Sequence, residues 1–162
     1  MKEKNINLKV KVYQWDELPE ADRVLIEAAK TATQSSYSPY SMFKVGAAVR
    51  LSDGTIVNGS NQENAAYPSG LCAERTTLFY ANSQHPLCAV ETLAVAAFTQ
   101  DAFTAAPITP CGACRQVILE TENRYKHPIR VLLYGKDEVY EIEKSAYLLP
   151  LSFDESALNL SI

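Results

Sequence analysis

Apolar and polar residues alternate along Ile6-Asn7-Leu8-Lys9-Val10-Lys11-Val12-Tyr13. A period of two predicts a half-buried strand or arm. The period then lengthens: Val24, Leu25, Ala28, Ala29 and Ala32 share one helical stripe. Asp16 can cap this helix, with Pro19 near its start, and the helix is predicted to run to about Gln34. Ser35 to Ser41 reads as a loop. Phe43 to Leu51 reads as a strand, Asp53-Gly54 as a tight turn and Thr55 to Ser60 as the returning strand. Tyr67 to Gly70 is a second loop, followed by a helix from about Cys72 to Ala81. Val90 to Phe98 is a largely apolar strand. Pro107 to Pro110 breaks the chain before a helix from Cys111 to about Asn123. Ile129 to Tyr134 predicts a buried strand, Glu138 to Ile142 a weaker one, and Phe153 to Leu158 a short terminal helix.

After the first helix the order is β-β-α-β-α-β-β. Such alternation predicts a three-layer α-β-α sandwich around a mixed sheet of about five strands. A length of 162 residues suits one domain, taken here as 1–162, with 1–15 as an N-terminal extension. No apolar run approaches the roughly 20 residues of a membrane span. The N-terminus leads into no apolar signal region, so a cytoplasmic location is expected. The net charge of −4, without a Lys/Arg cluster, argues against a nucleic-acid partner and for a small molecule.

The chain has four cysteines, Cys72, Cys88, Cys111 and Cys114, and two histidines, His85 and His127. Each histidine precedes a proline, which favours extended loop backbone. Cys88 opens an apolar strand and reads as a small core hydrophobe. Cys111 and Cys114 are spaced i and i+3 on one helical turn, so their thiols share a face and can grip one ion. Cys72 begins another predicted helix. Three thiolates would leave a fourth tetrahedral position open, as in a catalytic rather than a structural zinc site. Glu74, two residues past Cys72, can face that position and carry protons. Three thiolates give a zinc site a charge of −1. Helix N-termini offset this, as do Arg75 and then Arg115, whose guanidinium groups can reach thiolate sulfur. On the cysteines alone, two other readings stay open: a redox dithiol at Cys111 and Cys114, and a non-catalytic zinc module closed by all four cysteines.

Cys72-Ala73-Glu74-Arg75 with Pro110-Cys111-Gly112-Ala113-Cys114-Arg115-Gln116 resembles the zinc-dependent cytidine deaminases. The first cysteine ligand resembles their small class acting on free nucleosides. Three further segments extend the resemblance over about residues 20 to 155: Ser38-Pro39-Tyr40-Ser41 through Ala48, Asn61 to Tyr67, and Leu148-Leu149-Pro150 with Phe153. The resemblance implies that Cys72, Cys111 and Cys114 hold one Zn²⁺ per subunit and that Glu74 shuttles protons. It implies that Asn61 and Glu63 bind ribose hydroxyls and that Phe43 packs on the nucleoside. It also implies that Tyr40 and Phe153 complete a neighbouring subunit's site in a homotetramer. The implied reaction is hydrolytic deamination of cytidine and 2′-deoxycytidine. The residues agree in part: Asn61 and Glu63, at i and i+2 near a strand end, share one face. Residues 1–15 and Leu151-Ser152 depart from the family's pattern, and the segment from Gln100 to Thr109 is long enough to cover a site.

Overall fold

The computed structural model describes residues 1–158 and gathers its strands into one sheet. In chain order the elements are β1 (Lys11–Tyr13), α1 (Glu20–Ala32), β2 (Lys44–Leu51), β3 (Ile56–Ser60), α2 (Ala73–Gln84), β4 (Val90–Thr99), β5 (Ala102–Phe103), α3 (Gly112–Tyr125), β6 (Arg130–Tyr134) and β7 (Val139–Ile142). The sheet order is β1-β7-β6-β4-β2-β3, with β5 paired onto β4. β4 and β6 run parallel and the other pairs antiparallel.

The α/β class and the layers are as expected, but the sheet has seven strands rather than about five. One extra strand, β1, is the end of the predicted N-terminal arm, paired onto β7; the other, β5, is two residues long, too short to show a period. Residues 6–10 lie outside the sheet, and Ile6, Leu8 and Val10 are exposed rather than half-buried. Asp16 sits in a separate 3₁₀ turn, and Pro19 occupies the N-cap of α1. The buried stripe of α1 includes Ile26 and excludes Val24, so it is rotated from the predicted one. The terminal helix is a 3₁₀ turn over Glu155–Leu158.

α1 covers one face of the sheet. Its Leu25, Ile26 and Ala29 pack on Ala48, Ala94, Ala96 and Leu132. Across the sheet, Leu78 of α2 and Ile118 of α3 pack on Val49, Leu93, Val95 and Val131. β4 is buried on both faces over most of its length, which explains its largely apolar run. At Gly46 the helix comes too close for any side chain: a Cβ there would lie 2.0 Å from the Ala29 carbonyl oxygen.

The layout also gathers the functional residues. β3 and β4 both pair antiparallel with β2, so they point the same way. α2 follows β3, and α3 follows β4 after the two-residue β5 and a loop that ends at the cavity. Both helices therefore begin at the same end of the sheet, beyond the carboxyl ends of those strands, where open α/β sheets bind their ligands.

The α1 side carries a buried ion network. Arg130 donates to Asp22 at 2.5 and 2.8 Å and to Glu141 at 2.9 Å. Lys11 of β1 donates to Glu141 at 2.9 Å, which ties the N-terminal extension to the sheet edge. Asp22 is 1% exposed and Glu141 5%. Removing Arg130 leaves Asp22 with only Arg50, 3.7 Å away, and Glu141 with only Lys11, so the cost is at most the roughly 3–5 kcal/mol of a fully broken buried pair. Arg130→Ala is expected to lose stability within this bound in urea unfolding, while a Lys11→Ala chain loses far less because its ammonium is at the rim.

Candidate metal centre and substrate pocket

Cys72 and Cys111 occupy the N-caps of α2 and α3, in extended backbone, and Cys114 lies in the first turn of α3. All three thiols are therefore at helix N-termini, where the dipole favours the thiolate. Cys72 Sγ is 3.8 Å from Cys111 Sγ, which is 3.4 Å from Cys114 Sγ. All three sulfurs lie within 4.8 Å of one another, and among the described residues no other His, Cys, Asp or Glu joins the cluster. Both separations are far beyond a disulfide bond of about 2.0 Å. Two sulfurs bound at about 2.3 Å to a tetrahedral zinc stand roughly 3.8 Å apart. The donor set and its spacing fit one zinc ion per subunit. They fit a Cys111–Cys114 redox pair acting alone less well, because a third sulfur lies 3.8 Å from Cys111.

The sulfurs differ electrostatically. Hydrogen bonding from Cys114 first, then from Arg75, holds Cys72 at about 5, well below the usual thiol range. Cys114 is pushed up by its bond to Cys72 and by burial. Arg75 Nη2 reaches Cys72 Sγ at 3.8 Å and the Gly70 carbonyl at 3.5 Å, as the expected support for a thiolate. Arg115 does not share that task. It donates to the Pro110 and Leu148 carbonyls, both at 2.8 Å, and so braces the backbone just before Cys111. Cys88 lies apart, partly buried against the core and bonded to Asp53 at 3.4 Å.

Glu74, in the first turn of α2, is 4% exposed, and burial raises its carboxyl above the ordinary value. It lines a cavity of about 710 Å³ together with Cys72, Cys111, Phe43, Asn61 and Glu63. Glu63 accepts the Tyr40 and Ser41 N–H groups at 2.9 and 3.3 Å. Those bonds and the Ser41 hydroxyl hold its carboxyl below the usual range. Asn61 is stapled to the start of β2: its Nδ2 donates to the Phe43 carbonyl at 2.9 Å, and its Oδ1 accepts the Val45 N–H at 2.8 Å. Tyr40 lines this same cavity in its own chain, edge-on to Tyr67. Phe153 does not line it; the ring is 61% exposed, while Gln116 holds its carbonyl at 2.9 Å.

Sequence reasoning assigned no individual role to several lining residues, among them Leu71, Val95, Tyr67, Ile108 and Thr109. Tyr67 and the last pair sit in loops flagged by proline, and a loop's path has no periodic signal. Of the long segment after β4, only its end reaches the cavity. The rest is pinned to the turn after β6, where the Lys136 and Asp137 N–H groups donate to the Thr104 and Ala105 carbonyls at 2.9 and 3.1 Å.

The residues of the zinc region stand within a known family's bounds. Residues 19–126 match the family described as cytidine and deoxycytidylate deaminase zinc-binding region. A cytidine deaminase of Sporosarcina psychrophila is 42% identical over 135 residues, covering 83% of this chain and 93% of that protein. One from Halalkalibacterium halodurans is 46% identical over 98 residues, covering 60% of this chain and 70% of its own. The crystal structure of cytidine deaminase from Burkholderia pseudomallei superposes with a TM-score of 0.68 at 41% identity, covering 80% of this chain and 97% of that one. The chain belongs to the zinc-dependent cytidine deaminase family.

Gly135 provides a test of how the metal loop is held. A Cβ there would lie 2.5 Å from the Ala105 carbonyl oxygen and 2.6 Å from the Pro107 nitrogen, both backbone atoms that yield at high cost. Gly135→Ala is expected to destabilise the fold by about 1–3 kcal/mol, as overpacking does. By displacing the loop that leads to Cys111, it should also release zinc at a lower chelator concentration than the parent, read by metal analysis of the dialysed protein.

Proposed function

We propose that this chain hydrolyses the exocyclic amine of cytidine and 2′-deoxycytidine, giving uridine or 2′-deoxyuridine and ammonia. The observation that carries the reading is Glu74: a buried carboxylate on the wall of a cavity roomy enough for a nucleoside, two residues from one of three gathered thiols. Cys72, Cys111 and Cys114 would hold the zinc, which when bound supplies Lewis acidity and a nucleophilic water near neutral pH. Glu74 carries the protons. It accepts one from the attacking water and delivers it to ring nitrogen 3 as carbon 4 becomes tetrahedral; it then takes the proton of the new hydroxyl on carbon 4 and passes it to the amine, which departs as ammonia while the carbonyl forms. Burial that favours its neutral form suits a group that must donate as readily as it accepts. Arg75 steadies the Cys72 sulfur.

Phe43 flanks the base, and Asn61 and Glu63 address the sugar hydroxyls. The cavity is lined by one cation, Arg75, and that side chain is engaged by Cys72 and Gly70. No free positive charge awaits a 5′-phosphate among the described residues, which supports an uncharged nucleoside over a nucleotide. Tyr40 and Phe153 complete a neighbouring subunit's site in a homotetramer. The 61% exposure of Phe153, which does not line its own cavity, supports this arrangement for Phe153, while Tyr40 lines the cavity of its own chain. The molecule works as one domain over residues 1–162, with 1–15 as an extension, and in the cytoplasm, where thiols stay reduced.

Loss of ultraviolet absorbance on incubation with cytidine and 2′-deoxycytidine tests the reaction. Glu74→Gln is expected to keep its zinc and lose at least about 100-fold in kcat, whereas Cys111→Ser loses both metal and turnover. Near-parental turnover in the Glu74→Gln protein would overturn the assignment.

A further inference from the structure

Asn61 has a donor arrangement that its two backbone partners do not fully determine. Its carbonyl oxygen has two acceptor directions. One takes the Val45 N–H at 2.8 Å, and the other takes the Ser36 hydroxyl at 2.5 Å. Of its two amide protons, one goes to the Phe43 carbonyl at 2.9 Å. The second is left for the cavity that Asn61 lines. Phe43 and Val45 belong to one segment, so their bonds alone act as a hinge about which the amide plane can rock. Ser36 holds the amide from a different segment, the chain leaving α1.

Ser36 is itself fixed. The Tyr37 N–H next to it donates to the Asn61 carbonyl at 3.1 Å, and the Tyr37 carbonyl accepts the Glu63 N–H at 2.8 Å. Ser38, a buried residue, places its hydroxyl 3.2 Å from that of Ser36. With the single Ser36 proton engaged by Asn61, Ser38 is the donor of that pair. The result is a chain from the Ser38 hydroxyl through the Ser36 hydroxyl to the Asn61 amide, ending on the free N–H. Each link polarises the next, so the last donor is strengthened as well as aimed.

We infer that Ser36 is a positioning residue for substrate: it aims the remaining Asn61 amide proton at a sugar hydroxyl. This rests on the proposed sugar contact of Asn61. Ser36 lies outside the cavity lining and touches no substrate.

The test compares cytidine with 2′,3′-dideoxycytidine on the zinc-loaded enzyme. Ser36→Ala is expected to raise KM for cytidine about three- to tenfold, the range of one lost hydrogen bond, with kcat retained and KM for the dideoxynucleoside unmoved. Ser36→Thr keeps the hydroxyl and should restore the parental KM. A Ser36→Ala enzyme with parental KM for cytidine overturns the inference. So does one weakened equally toward both nucleosides, since that is a general loosening of the loop. A parental enzyme indifferent to the missing hydroxyls would instead remove the sugar contact, and the inference with it; an enzyme inactive on both would refute the deaminase reading.

Discussion

The structure turns on bringing three sulfurs together at the N-termini of two helices. Each sulfur needs a neighbourhood that tolerates negative charge, and a helix start provides it through the dipole and unpaired N–H groups. Cys72 and Cys111 meet because β3 and β4 point the same way on either side of β2. The helices that follow those strands must then begin at one end of the sheet. The metal site is in that sense a product of strand order: exchange the direction of β3, and Cys72 would lie at the far end of the molecule.

Around this point the polar groups divide the work. Arg75 faces sulfur, while Arg115, one residue past a proposed ligand, faces backbone carbonyls. Asn61 binds the start of β2 with most of its capacity and leaves one donor over. Glu63 caps the Tyr40 loop with an oxygen that a sugar hydroxyl could also engage. These side chains build the cavity wall and present it to the ligand with the same atoms, so the wall is firm before anything binds.

Much of this was legible in the residue pattern. The spacing of Cys111 and Cys114, and the carboxylate two places after Cys72, led to the cluster the structure assembles. The long strands were found because β4, buried on both faces, and β2 carry sustained patterns. What was missed has physical causes. β5 is only two residues long, too short to carry a period. The stripe of α1 was misjudged because Asp22 is buried by its pairing with Arg130, 108 residues away, which no local pattern reveals. Tyr67 and Ile108 reach the cavity along loops whose course is decided by tertiary contacts such as the Gly135 turn.

Cys72 and Cys111 are 39 residues apart in the chain, with the whole of β4 between them. They become neighbours only when β4 has been seated between β2 and β6. A newly made chain thus offers an ion nothing better than the Cys111–Cys114 pair, and full-strength capture belongs to the finished fold. The complete three-sulfur grip is therefore a property of the assembled sheet, and whatever an ion gains by binding there is gained by that fold.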